Sequence, residues 1–163
     1  MDDSWHMIGA GVCAVVILYL VFRFALSPKY PYTHRYILTK AELHFFKTLR
    51  QCIPGDCCLS VKPRLGDIID VARTTKDSDP QWIRHYGAAI WSKHIDFVIF
   101  DAETAEVLLC IELDDSSHLS KDAKQRDQFK NKALAAAEIP LVRLPVKQRY
   151  RAADVTKKIQ GYF

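Results

Sequence analysis

Hydrophobic and polar positions along this chain change period several times, and each change marks an element. From Met7 to Leu26, 20 positions carry Arg23 as the single charge. At about 1.5 Å per residue such a helix is about 30 Å long, the depth of a bilayer's hydrocarbon core. Beyond it, Pro28-Lys-Tyr-Pro31-Tyr-Thr-His reads as a short semi-rigid linker, because two prolines prevent the helix from continuing. Thr39-Lys-Ala-Glu42 is a capping box, and Leu43, Phe46, Leu49 and Ile53 follow at helical spacing, predicting a helix over about 40–52 that Pro54-Gly55-Asp56 ends.

Leu59 to Pro63 alternates like a strand, Leu65 to Val71 reads as a short helix or turn, and Thr74 to Pro80 is a polar loop. Pro80 to Trp91 predicts a helix with proline in its first turn. Ile95–Phe100 and Glu106–Leu113 are β-rich runs joined by Asp101-Ala-Glu-Thr104, a β-hairpin. Lys121 to Ala137 is helical in composition, Pro140 to Pro145 is a strand, and Ala152 to Gln160 closes as a basic helix. A helix between the third and fourth strands requires a crossover, so that pair is expected to be parallel. The fold class is therefore α/β, a mixed sheet flanked by helices and preceded by one transmembrane helix. The partition is an anchor over 1–27, a linker over 28–37 and one domain over 38–163. No internal repeat or low-complexity tract interrupts it.

The chain has 163 residues, 49% hydrophobic and 26% charged, which excludes a disordered tail and a multidomain enzyme. For the apolar run an uncleaved anchor is favoured. A secretory signal peptide cut after Ala25-Leu26-Ser27 is the rival, but Asp2 and Asp3 stand where its leader needs Lys or Arg. A buried core helix fits poorly, since the run is apolar on every side. Arg23 stands near the end of the run and Lys29, Arg35 and Lys40 follow it, while no Lys or Arg precedes it, so the body is expected on the cytoplasmic side of the inner membrane. With one of the 23 basic and two of the 19 acidic residues in the leader, residues 28–163 carry a net charge of +5, compatible with nucleic acid or an anionic leaflet. Cys13, Cys52, Cys57, Cys58 and Cys110 lack paired metal-ligand spacing and read as reduced thiols.

Candidate chemistry concentrates between Lys93 and Asp127. Alternation places Glu112 and Asp114 on one face of a strand and Val107, Leu109, Ile111 and Leu113 on the other. If the hairpin brings Asp96 beside them, three carboxylates converge and raise one another's pKa unless a cation neutralises them; Mg²⁺, or Mn²⁺, suits such oxygen ligands.

Asp96 followed by Glu112-Leu-Asp114 resembles the core of the PD-(D/E)XK nuclease superfamily. The longer string Lys-His-Ile-Asp-Phe-Val … Ile-Glu-Leu-Asp-Asp-Ser-Ser-His … Arg-Asp … Ile-Pro-Leu-Val-Arg-Leu resembles a bacterial domain family of unknown function grouped there and, more distantly, very-short-patch-repair endonucleases. The similarity spans roughly Leu38 to Val146. It leaves the anchor outside and implies a restriction-endonuclease-like fold and an Mg²⁺- or Mn²⁺-dependent nuclease acting on DNA or RNA, with Asp96 and Glu112 as metal ligands; with the apolar run added, the expectation is a membrane-anchored nuclease. Asp114 stands where most members place a lysine. It could serve as a third ligand or base, the site could recruit Lys130 or Lys62, or activity could be lost, leaving a binding platform for nucleic acid or protein. Glu42 matches an accessory acid, and His118 and Asp127 match the downstream pattern. Against this stand plainer readings: Asp96 and Glu112 as strand-end acids in surface ion pairs, His118 as a cap or a satisfied buried group, Asp127 and Lys130 as a solvated helix pair, and Phe45, Phe46 and Phe129 as core.

Overall fold

A computed structural model describes residues 3–25, 30–72, 80–114 and 121–163. The chain divides into two units, Met1–Arg35 and Tyr36–Phe163. In the first, helix α1 (Asp3–Ala25) contains a 19-residue stretch, Met7–Ala25, long and apolar enough to cross a membrane, with a mean hydropathy of 2.2 and no buried share. That exposure removes the core-helix reading.

The second unit follows the expected order: α2 (Lys40–Leu49), β1 (Cys57–Val61), a 3-10 turn (Leu65–Asp67), α3 (Pro80–Trp91), β2 (Phe97–Asp101), β3 (Val107–Asp114), α4 (Lys121–Ala136), β4 (Leu141–Pro145) and α5 (Ala152–Ile159). The four strands form one mixed sheet in sequence order. β1 and β2 pair antiparallel, as do β2 and β3, while β3 and β4 pair parallel, with Glu112 opposite Arg143.

The capping box forms: Thr39 N–H donates to Glu42 Oε2 at 2.7 Å, and Glu42 N–H donates to Thr39 Oγ1 at 3.3 Å. In the hairpin turn, Asp101 Oδ1 accepts from the backbone N–H of Glu103 and Thr104 and from the Thr104 hydroxyl.

Helices cover both faces of the sheet. On one, Phe45 and Leu49 of α2 and Val155 and Ile159 of α5 pack on Phe97, Ile99, Leu109, Ile111 and Leu144. On the other, Ile90 of α3 and Leu134 of α4 pack with Leu65, Ile95, Val98 and Cys110, and Phe129 joins them at the edge. Burial of these apolar side chains is the main driving force for the layered arrangement. Phe45, Phe46 and Phe129 are therefore packed against the core.

One face assignment changes. Ile99 pairs with Leu109 but Phe100 pairs with Val107, so Leu108 is an extra residue in β3. This bulge interrupts the alternation and turns Val107 to the cluster of Cys110, away from Leu109 and Ile111.

Candidate carboxylate and lysine site

The site forms where the β2–β3 ladder ends. Their pairing stops at Phe97 and Ile111, and the chain before Phe97 turns away to make a bridge between His94 and Arg64. Leu113 N–H, two residues past the last pair, is taken by the side chain of Asp96, whose Oδ2 accepts it at 2.9 Å. Asp96 thus substitutes for a missing ladder partner.

Its other oxygen, Oδ1, accepts from Lys62 Nζ at 2.5 Å, and the same ammonium donates to Glu42 Oε1 at 2.5 Å. Lys62 follows β1 with a φ of +54°, a left-handed conformation unusual for a side chain of its length. Its N–H donates to the Asp96 carbonyl at 3.0 Å, and its carbonyl lies 3.2 Å from His94 Nδ1, so both backbone groups are engaged. The first turn of α2, fixed by its cap, supplies Glu42.

Glu112 is a buried charged residue, 5% exposed. Its Oε2 accepts from Lys130 Nζ of α4, and its Oε1 is buried with no hydrogen-bond partner among the described residues. Burial pushes the Glu112 carboxyl up, Lys130 opposes that, and neighbouring Asp96 adds to the rise. Burial also works against the charged form of Glu42, but hydrogen bonds from Lys62 and Thr39 hold its carboxyl below the usual range. For Lys62 burial is likewise outweighed: Asp96 and Glu42 raise its pKa. Burial and Glu112 push the Cys110 thiol to about 12, keeping it protonated.

Five expected residues thus lie along this sheet end, Glu42, Lys62, Asp96, Glu112 and Lys130. Asp114 takes a different partner. Its Oδ1 accepts from Arg143 Nη1 at 2.6 Å, and Arg143 Nη2 lies 3.5 Å from Asp127. The reading of Asp127 and Lys130 as a pair along one helix is corrected: Lys130 reaches β3, and Asp127 faces β4. Among the described residues, no three His, Cys, Asp or Glu side chains converge closely enough to hold a metal ion. His118 lies outside the described residues. Arg143 was not anticipated. The signal was a lone arginine inside Leu141-Val-Arg143-Leu, a charge that a buried strand accepts only with a partner.

A family model described as "Protein of unknown function (DUF2726)" matches residues 34–162. The chain belongs to the DUF2726 family. That span holds every residue of the site and leaves α1 outside, so the carboxylate and lysine cluster lies within the DUF2726 domain of this chain. No curated protein and no solved structure matches the chain.

Proposed function

We propose that the DUF2726 domain of this chain is a restriction-endonuclease-like, metal-dependent nuclease of the PD-(D/E)XK type, hydrolysing phosphodiester bonds in DNA or RNA from the cytoplasmic face of the inner membrane. The observation that carries the reading is Glu112 Oε1, a buried carboxylate oxygen with no hydrogen-bond partner among the described residues, on a carboxyl that burial and then neighbouring Asp96 push up. An orphaned anionic oxygen in a buried site is costly unless a cation or water satisfies it.

Asp96 and Glu112 are the residues that would hold Mg²⁺ or Mn²⁺, and an ion that keeps several waters needs no third carboxylate. Bound there, the ion supplies Lewis-acid polarisation of a phosphoryl oxygen. The chain's own groups do the rest. Asp96 is fixed by Leu113 N–H, and Glu112 by Lys130. The two ammonium groups replace the lysine that Asp114 displaces: each reaches a carboxylate of the cluster from a neighbouring element and can orient a water or stabilise charge on a departing oxygen.

A second reading, a binding module without catalysis, is favoured by one observation: Lys62 and Lys130 already neutralise the acids internally. Incubating the purified full chain with Mg²⁺ or Mn²⁺ on single-stranded, duplex and branched substrates separates the two. Metal-dependent cleavage lost in both Asp96→Ala and Glu112→Ala supports the nuclease. No metal-dependent cleavage on any substrate leaves the binding module.

A further inference from the structure

Where β4 leaves the sheet, the chain builds a second feature. A cavity of about 380 Å³ is lined by Lys147, Arg149, Arg151 and Lys158, with Leu144 and Tyr150 in its wall and Asp154 as an acid at its edge. All four cationic residues are exposed, and among the described residues none makes an ion pair with a carboxylate. Like charges gathered on one concavity repel one another and raise the local concentration of anions.

The frame beneath them is held in place. Tyr150 Oη accepts from Lys147 N–H at 3.0 Å and donates to the Pro145 carbonyl at 3.2 Å, and its ring meets Phe45 edge-on at 4.8 Å. A fixed frame lowers the ordering cost of binding. The cavity also rests on the end of β3 and on helix α2, the two elements that supply Glu112 and Glu42 to the carboxylate cluster. Pro145 is the ladder partner of Asp114, and Val146 N–H donates to the Asp114 carbonyl at 3.0 Å. Helix α2 directs Glu42 to Lys62 and sets His44 6.1 Å from the Tyr150 ring.

We infer that this cleft is a phosphate-backbone site that holds a nucleic-acid strand by its phosphodiesters beside the carboxylate cluster, resting on the nuclease reading for the identity of the strand. Guanidinium groups fork onto phosphate oxygens, and lysines add point charge. The Tyr150 ring is used in packing and the wall is otherwise aliphatic, so the contacts are to phosphates and carry no base sequence. A bilayer headgroup would use the same cations but has no need of a cleft that shares its supports with the carboxylates.

The test uses the full chain in nanodiscs of neutral lipid, with EDTA, and the anisotropy of a fluorescein-labelled single-stranded oligonucleotide over a salt series. The triple variant Arg149→Gln, Arg151→Gln, Lys158→Gln should bind about tenfold or more weakly. Its log–log salt slope should be shallower by about 2, three contacts at about 0.7 each. Lys132→Gln, on α4 across the sheet, should match wild type. If the triple variant melts early, the single variants Arg149→Gln and Lys158→Gln should each reduce the slope by about 0.7. Wild-type affinity and slope in the triple variant, or wild-type binding to anionic vesicles but not to the oligonucleotide, overturns the inference. Cleavage in Mg²⁺ is scored separately. Binding that follows the cleft residues without cleavage refutes the nuclease and keeps the cleft, whereas cleavage with affinity indifferent to them does the reverse.

Discussion

Asp96 closes the ladder to Leu113 with its side chain: a carboxylate oxygen, in place of a backbone carbonyl, accepts the Leu113 N–H at 2.9 Å. The same carboxylate therefore finishes the sheet and anchors Lys62. A residue with two such duties reports on both when it is changed.

Asp96→Ala is expected to remove the acceptor of Leu113 N–H and one partner of Lys62, costing about 1–3 kcal/mol as the part-buried donor loses its bond. Asp96→Asn keeps an acceptor oxygen for Leu113 and should lose less stability, while losing as much cleavage as the alanine variant. Urea denaturation beside a cleavage assay checks this. Equal stability of the two variants would show that the Leu113 contact contributes nothing.

Lys130 neutralises a carboxylate that is nearly out of solvent. Lys130→Met should cost about 3–5 kcal/mol by stranding Glu112, and adding Glu112→Leu to it should restore most of that loss, because an apolar pair of similar volume is tolerated where one buried charge is not. The double-mutant cycle measures the coupling. Additive losses would mean that the ammonium and carboxylate do not interact.

Glu42 gives a pH dependence of known sign. Its folded pKa is lowered from an unfolded value of about 4.3, so its contribution to stability is present above that value and lost as pH falls through the folded one. Lys62, raised in the folded state, contributes fully below its unfolded value of about 10.4 and loses that contribution as pH rises through the folded one. The Tm gap between wild type and Glu42→Gln should therefore be level through neutral pH and close on acidification. A gap that widens towards acid contradicts the assignment.

For the anchor, a reporter fused after Phe163 should be active only on the cytoplasmic side, because the lysines and arginines flanking Met7–Ala25 lie after it and acids lie before it. Activity on the other side, or a mature chain beginning near Pro28, rejects the orientation.

The element order and the parallel β3–β4 pair were legible in the residues, because hydrophobic period, capping and turn chemistry are local signals that tertiary contacts here reinforce. Thr39 and Glu42 are three apart and make their box within α2 itself. The apolar length of Met7–Ala25 is likewise a property of consecutive residues. Tertiary structure alone decided the partners of the charges. Glu42, Lys62 and Asp96 lie 20 and 34 positions apart and meet only because β1 and β2 pair and α2 packs on the sheet. The choice of Glu112 over Asp127 for Lys130 depends on how α4 lies across β3, and the pairing of Arg143 with Asp114 on the β3–β4 register. The Leu108 bulge, which moves Val107 to the other face, left no mark in the alternation, since an extra apolar residue in an apolar run looks the same on either side of the sheet. Period is written along the chain, but charge pairing is settled by whichever groups the packed layers bring within reach of one another.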